Sequence, residues 1–145
     1  MKANLLMFLA VVPLLGAEAP KPDAVKEELK KFEGSWKLEA ANFDGEERKA
    51  EEIKNAGLVV VGDTFTMKIG NETHKGKFTI DPSKKPKAID AEFTEGSLKD
   101  TKVVGIYVIE GDTRKSCFAA SQTDRPTEFC AGKGKYLWTW KREKP

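Results

Sequence analysis

The sequence predicts an all-β fold: a small, up-and-down antiparallel β-barrel of about eight or nine strands, preceded by one short helix. Between residues 34 and 142, short segments alternate apolar and polar side chains, and Gly, Asp, Asn or Pro separate them at short intervals. Alternation places the apolar side chains of each strand on one face. Closing the sheet into a barrel buries that face and leaves no free edge strand.

Residues 103–142 carry the strongest pattern, which predicts four antiparallel strands joined by tight turns. A hairpin with Gly111-Asp112 at its centre sets Gly105 opposite Phe118, whose ring can cover the bare backbone. A looser turn at 123–126 and a turn at Lys133-Gly134 then set Phe129 opposite both Phe118 and Trp138. This register collects an aromatic stripe on one face, formed by Tyr107, Ile109, Phe118, Phe129, Tyr136, Trp138 and Trp140. The other face is apolar too, so both need cover.

The first 19 residues have the features of a secretory signal peptide. Lys2 is followed by an apolar run from Leu5 to Leu15, and Ala17-Glu18-Ala19 is typical of a cleavage site. We therefore expect an exported protein, periplasmic or extracellular, cleaved after Ala19 and without a membrane span in its mature form. The predicted divisions are a signal peptide (1–19), a lead-in with a short helix (20–31) and a barrel domain (32–145).

The two cysteines predict a disulfide. An exported chain meets oxidising conditions, and the register above places Cys117 opposite Cys130. Such a bond closes a short loop and would contribute about 3 kcal/mol. A redox-active pair is disfavoured because no Cys-x-x-Cys motif is present.

The segments before residue 103 supply the helix and the remaining strands. The helix is expected over 24–32 with Asp23 as N-cap, and the first strand over 34–40 with Trp36, Leu38 and Ala40 on one face. Residues 46–55 are either a loop or a short helix. Four more strands are expected, over 58–61, 64–69, 73–80 and 88–94. Their inward side chains include Phe65, Met67, Ile69, His74, Phe78, Ile80, Ile89, Ala91 and Phe93.

Several of these segments together resemble the lipocalin-like extracytoplasmic domain family of planctomycete bacteria. The matching motifs cover nearly all of the mature chain: Leu29 through Gly34-Ser35-Trp36, Asp44-Gly45, Gly105-Ile106-Tyr107, Gly111-Asp112-Thr113, Cys117, Arg125-Pro126-Thr127-Glu128-Phe129 and Lys141-Arg142. The resemblance implies export and a calycin-type barrel without an established activity. Arg114 and Cys130 depart from the family pattern. Lipocalins also stack a basic residue on the first-strand tryptophan, which suggests a latch between Trp36 and Arg142 or Lys141. The alternative is a core tryptophan and a solvated arginine.

Few residues suggest catalysis. His74 is the only histidine, so a core or rim position is favoured over a base or a zinc site. Arg125 and Glu128 could form a polar mouth, although a local ion pair is favoured. No phosphate-binding loop or nucleophile motif appears, and no one pair of the many carboxylates stands out. The sequence predicts no cofactor, no metal and no enzyme activity, and its interspersed charges, net +2, disfavour nucleic-acid binding.

The expected function is therefore binding of a small hydrophobic or amphipathic ligand inside a monomeric barrel. The residues expected to line the interior are aromatic: Trp36, Phe65, Phe78, Tyr107, Phe118, Phe129 and Trp138. They are also bulky enough to fill it. A filled barrel that binds another exported protein is the alternative, and a hydrolase is a distant third.

Overall fold

The structure, a computed structural model, describes residues 20–144, which form nine strands and two helices. The two helices are α1 (Pro22–Phe32) and α2 (Ala50–Ile53). The strands are β1 (Gly34–Phe43), β2 (Glu46–Glu47), β3 (Gly57–Val61), β4 (Thr64–Ile69), β5 (Glu72–Asp81), β6 (Lys87–Glu95), β7 (Lys102–Glu110), β8 (Thr113–Ala120) and β9 (Tyr136–Arg142).

Eight of the strands close into an antiparallel barrel, which confirms the predicted fold class. Strands β3 to β9 pair in sequence order, and β1 pairs with β3 on one side and with β9 on the other. The ninth strand, β2, is a two-residue addition to the end of β1. The barrel has no free edge along β1 or β9, because their pairing runs from Trp36–Arg142 to Phe43–Tyr136.

The β7–β8 hairpin has the predicted register. Gly105 lies opposite Phe118, and Ile106 opposite Cys117. A Cβ atom built on Gly105 would lie 2.6 Å from the Phe118 ring, so the ring does cover the bare backbone. The prediction of another strand around Phe129, between these two strands and the last one, is wrong. Strand β8 pairs directly with β9, which sets Cys117 opposite Leu137 and Phe118 opposite Tyr136.

The segment around Phe129, residues 121–135, instead packs outside the barrel. It contains Pro126, which has no N–H to donate to a sheet. Arg125 donates to the carbonyls of Ile89 (3.2 Å) and Gly105 (2.8 Å) and pairs with Asp90 at 2.6 Å. Pro126 is buried as a result. The segment thereby supplies the cover that the apolar outer face of β7 and β8 requires.

The predicted disulfide between Cys117 and Cys130 is also wrong, because both thiols are free. The two residues do not face each other across a ladder. Cys130 turns its carbonyl oxygen to the Cys117 sulfur at 3.7 Å, and Lys135 Nζ donates to the Cys130 sulfur at 3.3 Å. Burial raises the pKa of the Cys117 thiol, so this group is a packed, neutral side chain.

Two local details differ from prediction. Helix α1 begins at Pro22, with Lys21 rather than Asp23 at the N-cap, because proline at the first helical position fixes a suitable φ. Strand β1 has a bulge between Leu38 and Ala40, so Ala41 takes the buried position expected of Ala40.

The predicted signal peptide and its cleavage site lie outside the described residues. Within residues 20–144, no helix has the length and apolar character needed to cross a membrane.

Candidate functional site

The barrel encloses a cavity of about 680 Å³, which is the main candidate site. Its volume falls within the range of small-molecule sites, roughly 300–1,000 Å³. The wall is mostly apolar because most barrel strands turn alternate hydrophobic side chains inward. Those that line it include Phe43, Leu58, Phe65, Met67, Ile69, Phe78, Ile89, Ala91, Phe93, Phe118, Trp138 and Trp140.

One end of the cavity is the mouth, formed by the β4–β5 turn, the 96–101 loop and the start of the 121–135 segment. Leu98 and Tyr136 line the cavity there and remain more than a third exposed, at 38% and 39%. Apolar side chains held in contact with water at a rim offer an apolar molecule its first contacts.

The other end is a floor made by helix α1, whose last residue plugs the barrel. Phe32 is fully buried, and its ring packs 5.2 Å from that of Phe78 and 4.8 Å from that of Tyr107. The Trp36 indole N–H donates to the Phe32 carbonyl at 2.8 Å, which ties the helix end to β1. The helix therefore covers this end of the apolar core.

A buried carboxylate, Glu28, connects helix α1 to strands β6 and β7. Its oxygens accept from Lys87 (2.8 Å), Lys31 (3.0 Å) and the Tyr107 hydroxyl (3.1 Å). Burial alone would raise the pKa of Glu28, but the three donors outweigh burial and hold it below its ordinary value. Burial and the neighbouring Glu28 raise the pKa of Tyr107, which stays a hydrogen-bond donor. Both acceptor oxygens of Glu28 are thus already engaged.

The floor is closed by Arg142, which lies across the Trp36 indole with its Cζ atom 4.2 Å from the ring centroid. The same guanidinium donates to the carbonyls of Glu33 at 2.6 Å and Lys31 at 2.7 Å. This geometry is the latch that the resemblance to lipocalins implies. It connects the last strand to both the first strand and the end of α1.

Strand β8 brings two polar side chains into the cavity between its aromatic walls. Arg114 and Ser116 point inward with Phe118, because alternate residues of a strand share a face. Arg114 is only 6% exposed and Ser116 only 1%. The Nε and Nη1 atoms of Arg114 and the Ser116 hydroxyl have no hydrogen-bond partner. Burial lowers the pKa of Arg114 to about 10, so the group is still a cation at neutral pH.

The seven residues expected to line the interior separate into three groups. Phe65, Phe78, Phe118 and Trp138 line the cavity. Trp36 and Tyr107 are almost fully buried but belong to the floor, where they contact α1. Phe129 is half-buried in the 121–135 segment and does not line the cavity.

Arg114 and Ser116 were not among the site residues predicted from the sequence. A signal was available, since the predicted register of the β7–β8 hairpin already set Arg114 opposite Ile109 on the inward aromatic face. An inward arginine in an otherwise apolar stripe is a conflict of pattern, and such conflicts mark functional positions.

The other polar candidates named from the sequence lie near the mouth or on the outer face. His74 is buried near the mouth, where its Nε2 lies 3.2 Å from Glu72 and its ring packs edge-on against Phe93. Arg125 lies on the outer face, where it holds the 121–135 segment rather than forming a mouth with Glu128. Across residues 20–144, no three His, Cys, Asp or Glu side chains cluster as a metal site. A scan against protein-family models and a search of curated proteins both give no match to this chain.

Proposed function

We propose that this protein is an exported binding protein that takes a small hydrophobic or amphipathic molecule into its barrel, without catalysing a reaction. The observation that carries the proposal is the open cavity of about 680 Å³ inside an aromatic wall. A barrel of this size can either be filled by its own side chains or hold one small ligand. The aromatic residues of β4, β5, β6, β8 and β9 leave space between them, which favours the ligand.

The shape of the cavity supports binding from one end. Helix α1 blocks the floor, and the Arg142 latch fixes the helix there. The mouth has Leu98 and Tyr136 exposed beside polar residues of the adjoining loops. A ligand that enters through this mouth exchanges water for apolar contacts over most of its surface, which is the main source of affinity in such sites.

The test compares a variant that fills the cavity with one that alters the outer surface. Ala91 lines the cavity from β6, and Val61 is exposed on β3. The wild-type protein should bind an apolar fluorescent probe such as 1-anilinonaphthalene-8-sulfonate at one site per chain. Ala91→Phe should weaken this binding at least several-fold, and Val61→Phe should leave it unchanged. Equal loss in both variants, or no saturable binding to the folded wild type, would contradict the proposal.

Native mass spectrometry of protein purified from its own host gives a second readout. A co-purified small molecule that disappears from the Ala91→Phe variant would support an interior ligand. A bare wild-type chain that also fails to bind added probe would leave the side-chain-filled barrel as the better description.

A further inference from the structure

We infer that the ligand carries a carboxylate, and that this head group binds at the floor of the cavity to Arg114 and Ser116 while the apolar tail extends to the mouth. The inference rests on the proposed function and specifies the ligand class. Within residues 20–144, the Arg114 cation has no carboxylate partner.

Most side chains beside Arg114 are apolar, although the Tyr107 side chain is close enough to interact with its charge. Its cross-strand neighbours are Ile109 on β7 and Trp140 on β9. Its Cζ atom lies 4.8 Å from the centroid of the Phe32 ring, which forms the floor beneath it. No ion pair within residues 20–144 includes Arg114. A charge in such surroundings is costly unless something pairs with it.

Glu28 is a buried carboxylate at the same end of the barrel, and it is already engaged. Lys87, Lys31 and Tyr107 occupy its oxygens. The pKa of Arg114, about 10, leaves the guanidinium charged at neutral pH without that partner. The cation therefore has no counter-ion among residues 20–144, and Arg114 and Ser116 both line the cavity.

The donors favour a carboxylate over other anions. The guanidinium fork matches the two oxygens of a carboxylate and can donate two parallel hydrogen bonds to them. Ser116, one inward position nearer the mouth, adds a hydroxyl donor with no partner of its own. A phosphate monoester carries between about −1.5 and −2 at neutral pH, so it would leave an excess negative charge in an apolar pocket. A carboxylate carries a single charge and balances the single cation.

The order of side chains along β8 sets the orientation of the ligand. Arg114 is at the floor, Ser116 and Phe118 follow, and Ala120 is at the mouth. The six residue steps from Arg114 to Ala120, in a strand tilted by about 40°, span about 15 Å along the barrel axis. Above Arg114 and Ser116 the wall is mostly apolar up to the mouth, with His74 as a polar member. A medium-chain fatty acid, bound head-first, satisfies the donors below and the apolar wall above.

The test uses three amphiphiles with the same twelve-carbon tail, each below its micelle concentration: dodecanoate, 1-dodecanol and dodecyltrimethylammonium. Affinities are measured at pH 7 by displacement of the fluorescent probe from the wild type and from three variants. Arg114→Met removes the cation, and Ser116→Ala removes the hydroxyl. Lys115→Met is the matched control, since it removes a positive charge from the adjacent, exposed position of the same strand.

The wild type should bind dodecanoate about 10- to 100-fold more tightly than dodecanol, with the ammonium weakest. Arg114→Met should abolish this preference while it still binds dodecanol, Ser116→Ala should reduce it several-fold, and Lys115→Met should keep it. If Arg114→Met does not fold, the wild-type ranking and the Ser116→Ala variant still decide the matter.

Two results would overturn the inference. Equal wild-type affinity for dodecanoate and dodecanol would show that the floor does not select an anion, although the proposed binding function would stand. A carboxylate preference that survives in Arg114→Met would place the head group elsewhere. Failure of all three amphiphiles and of the probe to bind would instead reject the proposed function together with the inference.

Discussion

Replacing Arg114 by Met should make the ligand-free protein more stable, although it removes a charged group with five donors. The pKa of Arg114 falls from its ordinary 12.5 to about 10, chiefly because of burial. Each pKa unit corresponds to about 1.4 kcal/mol, so keeping the side chain charged at neutral pH costs the folded state about 3 kcal/mol. Met also loses the contact with the Phe32 ring, which is worth about 0.5–2 kcal/mol. The expected net gain is about 1–2.5 kcal/mol.

Urea unfolding at pH 7, followed by tryptophan fluorescence, measures this difference. The urea concentration at half-unfolding should be about 1 M higher for Arg114→Met than for the wild type, if the free energy of unfolding depends on urea with the same slope in both. The advantage should shrink as the pH rises through 10, since the folded wild type then loses the proton that the unfolded chain still holds. The outward control, Lys115→Met, should change stability by less than about 0.5 kcal/mol. A loss of 1 kcal/mol or more in Arg114→Met would refute the reasoning, because it would mean that the guanidinium already has its native partners.

Three further predictions concern the floor and the wall. Arg142→Ala should lower the free energy of unfolding by about 1–3 kcal/mol in urea titrations, since it removes a cation–π contact and two hydrogen bonds to carbonyls; an unchanged midpoint would contradict the latch. Glu28 has a folded pKa below its ordinary 4.5, so its contribution to stability is present above that pH and is lost as the pH falls through the folded value. Glu28→Gln should accordingly flatten the acid limb of stability measured between pH 6 and pH 2, and an identical acid limb would argue against the cluster. Gly105→Ala should cost about 1–3 kcal/mol because its Cβ would lie 2.5 Å from the Cys117 carbonyl oxygen, whereas Gly132→Ala has no such contact and should be nearly neutral.

The barrel was predictable because its local patterns agree with its global form. Clean alternation in β4, β5 and β6 placed Phe65, Phe78 and Phe93 inward, and the structure places them there. The Gly-Asp turn fixed the register of the β7–β8 hairpin to the residue. Such short-range signals constrain pairing between consecutive strands, which is why this part of the sheet follows the prediction.

The segment from 121 to 135 was not predictable in the same way. Its apolar residues, Phe129 and Cys130, lie between turn signals, as those of a strand do. Whether such a segment pairs depends on whether its neighbour has a free edge, and β9 occupies the edge of β8. That is a long-range fact, and the disulfide prediction failed with it because it relied on the same register.

The position of a residue along the barrel axis is a second quantity that alternation does not give. Trp36 and Tyr107 point inward as expected, yet they belong to the floor because α1 packs at that end. Arg114 lies at the same depth, and its importance depends on which carboxylates are nearby and already paired. A pattern of residue types along the sequence does not show which carboxylates are paired. The distances around Glu28 show that this carboxylate is.

The pairing of β1 with β9 has a consequence for when the cavity comes into being. Trp36 and Arg142 lie near opposite ends of the described chain, and the barrel is not closed until they meet. A partly synthesised chain would expose two unpaired strand edges and the apolar face of an open sheet. Both features favour self-association. The closed cavity therefore exists only after the final strand has been synthesised and has paired with the first.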